Sequence, residues 1–351
     1  MVTMQADLPE PALRLAFDED ALCANWKALD RLSGNARAGA AVKANGYGTG
    51  AARASRVLHD AGCRDFFVAH WSEVPQVIAQ VPPAQVSVLH GPRNEGDAAF
   101  ARASGVKPVI NSLAQAQRWL ASGGGRCDLM VDTGMNRLGV SLGELDHEAV
   151  QGLDVDVLLS HLVASEEDGA HNERQQEAWA AACGTVRHAR ASLANSAGIM
   201  LGPDYHGNLT RPGIALYGGI ARPEMASDIR QVVRPLAAVL QLRDVSAGET
   251  IGYNATFTAP RSMRVATVAL GYADGYLRCW SGKGVLRAPC GEPLPVLGRV
   301  SMDLTVIDVA AAPSLREGDW VEVPFDLPYA AQVSGLSQYE LLTTLGRRFG
   351  A

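Results

Sequence analysis

Lys43 is the residue whose type and setting most directly suggest chemistry. It closes a short run of small and apolar residues, Ala38 to Val42, that reads as a buried strand. A glycine-rich turn follows, Asn45-Gly46-Tyr47-Gly48-Thr49-Gly50. An ammonium group at the end of a buried strand is costly to desolvate. A desolvated lysine loses its proton more readily and condenses with carbonyl groups. The chain has four lysines, Lys27, Lys43, Lys107 and Lys283, against 27 arginines, so a lysine kept at this place is pointed. The residues alone leave two plainer readings open: a lysine snorkelling out of a strand end, and a nucleotide loop. Against the second, Gly46, Gly48 and Gly50 have neither dinucleotide-fingerprint nor phosphate-loop spacing.

Further polar residues interrupt the apolar texture at comparable places: Asp132, Arg137, His161, Asn195, Ser196 and Arg211. Any one of them could be structural, but six at corresponding positions point to a shared site. Arg211-Pro212-Gly213-Ile214 suits the start of a short helix, whose free N–H groups bind phosphate. Ser196 can add a hydroxyl. The last third of the chain offers Gly248–Phe257, containing Tyr253, then Gly271–Tyr276, containing Tyr272, and Gly298–Asp303, containing Met302. By composition these three are turns with packing aromatics.

The elements that must position these residues show a rhythm. Strand-like runs fall at about 38–43, 65–69, 85–89, 107–110, 126–131, 155–161, 191–195 and 206–211. Helical patterns lie between most of them, such as Asn94 to Ser104, Ser112 to Ala121 and Asn172 to Arg190. Eight strands alternating with helices predict an α/β fold, a (β/α)8 TIM barrel, with a doubly wound sheet as the alternative. In such a barrel, chemistry sits at the carboxyl ends of the strands, where the polar residues fall. After about Gln231 the long helical patterns give way to short alternating runs split by Gly and Pro, which predicts a C-terminal antiparallel β domain. The expected division is 12–230 and 231–351. Leu13–Phe17 is a lone strand that could pack with the second domain, and a last helix is expected from Gln338 to about Arg347.

Composition narrows the function. The 351 residues are 47% hydrophobic, ample for a sizeable core. A net charge of −6 and no basic block argue against nucleic acid. No apolar run reaches membrane-spanning length, and no signal peptide is visible. Six scattered cysteines without a Cys-x-x-Cys argue against a zinc site and fit a reducing compartment, so a cytoplasmic protein without a metal is expected.

Val42-Lys43-Ala44-Asn45-Gly46-Tyr47-Gly48 resembles the cofactor-lysine signature of alanine racemases. So do Val131–Gly139, Ser160-His161, Asn195-Ser196-Ala197, the Arg211 segment and the three motifs of the last third, eight in order from about Leu13 to Arg347. The resemblance implies a barrel that binds pyridoxal 5'-phosphate (PLP), a following β domain, and a head-to-tail homodimer with shared active sites. It implies interconversion of L- and D-alanine by two bases. Lys43 holds the cofactor and serves one face of the substrate; Tyr253 of the second copy serves the other. His161 would hydrogen-bond that tyrosine, and Arg211 would contact His161 and the pyridine nitrogen. Tyr47, Ser196, Gly213 and Ile214 would hold the phosphate, with Asn195 beside them. Arg137 would contact the cofactor's phenolic oxygen and the substrate carboxylate, with the Met302 N–H as a second donor. Asp303 and Tyr272 complete the substrate side, and Tyr272, Arg278 and Arg299 look like entrance residues.

Two positions depart from the family. Met130 stands where many members carry a carbamylated lysine, so a buried Arg137 would need another partner: a small anion, Asp132 or water. No tyrosine lies near the C-terminus to touch the phosphate, and Arg347 is the nearest substitute. Competing readings are a broader amino-acid racemase of the same fold, an amino-acid decarboxylase, against which Arg211 argues, and a non-catalytic PLP carrier, against which the β domain and Tyr253 argue.

Overall fold

The computed structural model describes residues 9–346, 348 and 349. The chain forms two compact units, one from Asp18 to Val232 and one that joins the residues up to Phe17 with those from Val233 onward.

The first unit is a parallel barrel. Its first strand is broken at Gly39 into Arg37–Ala38 and Ala40–Ala41. Phe66–Val68, Val86–Val88, Lys107–Ile110, Arg126–Asp132, Asp154–Leu159 and His188–Ser192 follow in parallel register, for example Ala40 with Phe66, Val88 with Pro108 and Met130 with Leu159. Leu209–Thr210 pairs back onto Arg37–Ala38. The N–H groups of Asn208 and Arg211 reach the carbonyls of Ala191 and Ala194, both at 2.8 Å. Eight parallel segments thus ring one core.

Local chemistry explains why these segments form. Asp18 caps the helix Glu19–Leu32 by accepting the Ala21 N–H at 2.8 Å, and Glu19 and Asp20 complement the helix dipole. Ala21, Leu22, Asn25, Trp26, Ala28 and Leu29 fall on one buried face. From that face the Trp26 indole donates to the Ala38 carbonyl at 3.1 Å, while Asp30 accepts the Ala38 N–H at 2.9 Å. The helix therefore fixes the strand that leads to Lys43.

Inside the barrel, Phe67, Val109, Met130, Val157, Leu159 and Leu209 pack together, each large side chain worth about 1.5–3 kcal/mol of burial. Towards the amino-terminal ends of the strands lies a charged layer. Lys107 bonds Asp156 and lies 3.7 Å from Asp128; Arg190 bonds Asp65 and Asp156; Ser87 donates to Asp128. This layer ties six of the eight barrel positions.

The second unit is an antiparallel sheet that closes on itself through the long strand Val233–Val245. One half of that strand pairs with Trp320–Glu322, the other with Met263–Val268; Thr305–Asp308, Pro293–Leu297 and Val285–Arg287 complete the ring. Leu13–Phe17 adds to its edge, Leu13 opposite Ala237 and Phe17 opposite Val233.

Several expected boundaries shift. The seventh barrel strand is His188–Ser192, not 191–195, and its preceding helix ends at Thr185 rather than Arg190. Arg190 is in the strand because its guanidinium completes the charged layer. The last helix is Gln338–Thr343, and Arg347 lies outside the described residues. A helix at Leu327–Ser334 was not expected: Pro328 resembles a breaker but lies in the first turn, where its missing N–H costs nothing.

Candidate active site

Lys43 follows Ala40–Ala41 at the carboxyl end of the first barrel strand. Its amine makes no hydrogen bond or ion pair with any described residue. Burial, together with the Arg137 and Arg211 charges, lowers its pKa, and Glu73 partly opposes this. The chain then makes one turn of left-handed helix, with φ of 53°, 55°, 61° and 54° at Ala44, Asn45, Gly46 and Tyr47. For Ala44 and Tyr47 that conformation costs about 1–2 kcal/mol each, so surrounding contacts must hold it.

Tyr47, at the end of that turn, stacks on Tyr217 with ring centroids 5.0 Å apart. Its hydroxyl reaches the Arg211 segment so closely that a Cβ on Gly213 would fall 2.1 Å from the oxygen. Only glycine permits the approach. Burial pushes the Tyr47 hydroxyl above its ordinary pKa, so it keeps its proton. Ser196 Oγ accepts the Gly213 N–H at 2.9 Å. The Ile214 N–H, buried at the start of the short turn Ile214–Tyr217, has no acceptor among the described residues. Two hydroxyls and an unpaired N–H therefore meet in one cup.

Arg211 is buried, and its guanidinium donates to main-chain carbonyls and a hydroxyl: Ser192 O at 2.8 Å, Ser192 Oγ and Ser160 O. It makes no hydrogen bond to His161, but its charge acts on that ring. Burial lowers Arg211 to about 10, with Asp128 opposing, so it remains charged at neutral pH. Burial and the charges of Arg211, Lys43 and Arg137 hold His161 at about 3, so its ring is neutral. Asn195 is engaged structurally, its Oδ1 accepting from Ser165 Oγ at 3.0 Å and the Gly198 N–H at 2.9 Å.

Arg137 is exposed in this chain, and its guanidinium forms no ion pair with a described residue. Asp132 is not its partner. One carboxylate oxygen of Asp132 accepts the N–H groups of Gly134, Met135 and Asn136. Met130 fills its place by packing against apolar barrel residues.

The three motifs of the second unit meet one another. A Cβ on Gly298 would lie 2.7 Å from the Ile251 carbonyl oxygen. The N–H groups of Tyr272 and Ala273 bond the Ser301 and Met302 carbonyls at 3.0 and 2.9 Å. A Cβ on Gly271 would lie 2.2 Å from the Met302 oxygen, which accounts for that glycine. The Met302 N–H has no acceptor among the described residues. Asp303 is taken by Arg348 at 2.7 Å, and the Arg278 guanidinium lies 5.2 Å from the Tyr272 ring. Tyr253 is 64% exposed and Met302 54% exposed, unusual for large apolar side chains.

Two features were missed by sequence reasoning. Glu73 accepts three main-chain N–H groups at the ends of the first two strands. His70 and His90, after the second and third strands, have ring centroids 4.2 Å apart. A polar residue just past a strand end, the signal that singled out Lys43, was present for His70 and His90 but not for Glu73, which lies five residues beyond Val68.

An unpaired, desolvated lysine at a barrel mouth beside a cup of anion donors defines a class: enzymes that hold a phosphorylated carbonyl cofactor on a lysine. This chain belongs to the alanine racemase family. Residues 17–221 match the model of the alanine racemase N-terminal domain and residues 232–351 that of the C-terminal domain. The chain is 41% identical to an alanine racemase of Acidiphilium cryptum over 95% of its length and 97% of the relative's. It is 44% identical to one of Methylobacterium nodulans, over 96% and 94%. A crystal structure of alanine racemase from Bartonella henselae with covalently bound pyridoxal phosphate superposes with a TM-score of 0.88 at 33% identity, covering 97% of this chain and 99% of that one.

Proposed function

We propose that this chain is an isomerase that interconverts L- and D-alanine with PLP as cofactor, using Lys43 and Tyr253 as its two bases. The observation that carries the reading is Lys43: partly buried, without a partner among the described residues, and lowered in pKa at the carboxyl end of a barrel strand. The residues present fit the cofactor. Lys43 offers an amine for its carbonyl, and Tyr47, Ser196, Gly213 and the unpaired Ile214 N–H suit its phosphate. When bound, PLP supplies an electron sink for the charge left at Cα on loss of the α-proton.

Lys43 exchanges a proton on one face of Cα, and its lowered pKa gives it a neutral amine to do so nearer neutral pH. Tyr253 serves the opposite face, and the neutral His161 ring is an acceptor for its hydroxyl. Arg211 keeps its own proton at neutral pH. It would hold the cofactor's ring nitrogen without giving up that proton, which would moderate the sink and disfavour side reactions. Arg137 and the free Met302 N–H would take the substrate carboxylate, with Asn195 beside the phosphate and Tyr272 and Asp303 lining the substrate side.

The active protein is a homodimer in which each copy lends Tyr253 to the other, supported by the exposure of Tyr253 and Met302. Among the described residues no helix is long and apolar enough to cross a membrane, and the six cysteines are unpaired, which suits a reducing cytoplasm. The test is to incubate purified protein with L-alanine and other L-amino acids and separate enantiomers by chiral chromatography. Equal L- and D-alanine at completion is expected. Release of amine or carbon dioxide instead would overturn the reading.

A further inference from the structure

The left-handed turn Ala44–Tyr47 separates Lys43, the cofactor lysine, from Tyr47, the phosphate ligand, so its shape sets where both groups point. Most of what holds it is local. The Gly46 N–H reaches the Val42 carbonyl and the Gly48 N–H the Ala44 carbonyl, both at 2.8 Å; Asn45 Oδ1 accepts the Ala51 N–H at 3.1 Å. Tyr47 stacks on Tyr217, and a further hydrogen bond comes from a residue distant in sequence. Glu73, past the end of the second strand, accepts the Ala44 N–H at 2.6 Å through Oε1. Its Oε2 accepts the N–H groups of Ala69 at 2.7 Å and His70 at 3.0 Å. A single carboxylate thus staples the end of the second strand to the residue after Lys43, and it needs both oxygens to do so.

We propose that Glu73 is a positioning residue for Lys43, fixing the left-handed turn that aims the amine and keeping a negative charge beside it. The proposal rests on Lys43 being the cofactor lysine. The charged and titratable groups acting on that amine are Arg137, Arg211, His90, His161 and Glu73. Glu73 is the one carboxylate among them and acts against the two arginines. A purely structural staple would do its work without charge; this one also keeps the lysine from being depressed further.

Two variants separate charge from reach. Glu73→Gln keeps the shape, removes the charge and leaves one acceptor oxygen for three N–H groups. Glu73→Asp keeps the charge but is one methylene too short to bridge Ala44 and Ala69. The pH dependence of Lys43 modification by an amine-reactive reagent is measured in cofactor-free protein by peptide mapping, beside PLP affinity by fluorescence titration and the melting temperature. Glu73→Gln is expected to move the Lys43 midpoint down by about half a pH unit or more, because a favourable charge is lost. Both variants are expected to bind PLP about tenfold more weakly, and Glu73→Asp to retain a midpoint near that of the parent. An unmoved Lys43 midpoint in folded Glu73→Gln protein overturns the proposal, whatever happens to affinity, since a structural contact alone would leave it in place. Borohydride trapping of the parent on another lysine would defeat the cofactor-lysine reading instead, so the two failures are distinguishable.

Discussion

Lys107 Nζ lies 2.6 Å from a carboxylate oxygen of Asp156, buried at the amino-terminal side of the same barrel whose carboxyl-terminal side holds Lys43. Both lysines are largely withdrawn from water, and their surroundings drive them apart. Asp128 and Asp156 outweigh the burial of Lys107 and raise its pKa; burial and two arginines lower that of Lys43. One barrel therefore holds a lysine kept charged for structure and another made ready for chemistry.

The first prediction follows from that contrast. Borohydride reduction of the cofactor-loaded protein and peptide mapping should place the pyridoxyl group on Lys43 and leave Lys27, Lys107 and Lys283 unmodified. Lys43→Ala should lower racemisation by at least about 10²–10⁴-fold, the range for losing a positioned acid–base group.

Lys107→Ala should act on stability instead. It leaves Asp128 and Asp156 buried with a partner missing, and breaking such a pair costs about 3–5 kcal/mol. Urea unfolding measures the loss. A stability within 1 kcal/mol of the parent, roughly the worth of an exposed pair, would mean that the layer is not cohesive.

Gly213→Ala should weaken PLP binding by about tenfold or more, since the new Cβ meets the Tyr47 oxygen at 2.1 Å and either the cup or the turn must shift. Adding Tyr47→Phe removes that oxygen and should relieve part of the clash while giving up one phosphate donor. Fluorescence titration of the cofactor-free proteins reads both effects, and parental affinity in the single variant would show that the cup is elsewhere.

His161 carries a pH signature. Its folded-state pKa of about 3 lies below the ordinary value of about 6.5, so between these values the unfolded chain binds a proton that the native one does not. Stability should therefore fall as pH decreases through that window. Between pH 7 and pH 5 the parent should lose about 1–2 kcal/mol more than His161→Gln. Equal losses in urea unfolding would mean that the ring is charged in the native state.

Much of the site was legible because its residues are out of place locally. A lysine ending an apolar strand, and Pro-Gly after Arg211, conflict with plain strand and helix patterns, and conflicts of that kind mark function. The β domain was legible from its alternation and turns, though Val285–Arg287 and Pro293–Leu297 were not, the latter because its prolines disguise a strand. Arg190 was read as helix because alanine and arginine favour helices, whereas its partners Asp65 and Asp156 are distant in sequence. Glu73 was illegible for another reason. Its partners are main-chain N–H groups, which every residue but proline carries, so nothing in the side chains announces it. The exposure of Arg137 likewise depends on where a loop lies, not on what it is made of.

The central claim is that two different groups, Lys43 and Tyr253, work on opposite faces of one substrate carbon. The most direct measurement follows L-alanine in D2O by chiral chromatography with mass detection. Because the group that removes the α-proton is not the one that returns a hydrogen, D-alanine from the first turnovers should carry one deuterium at Cα while the remaining L-alanine is still protiated. D-alanine that retains the substrate's own α-proton, or no D-alanine at all, would contradict the account.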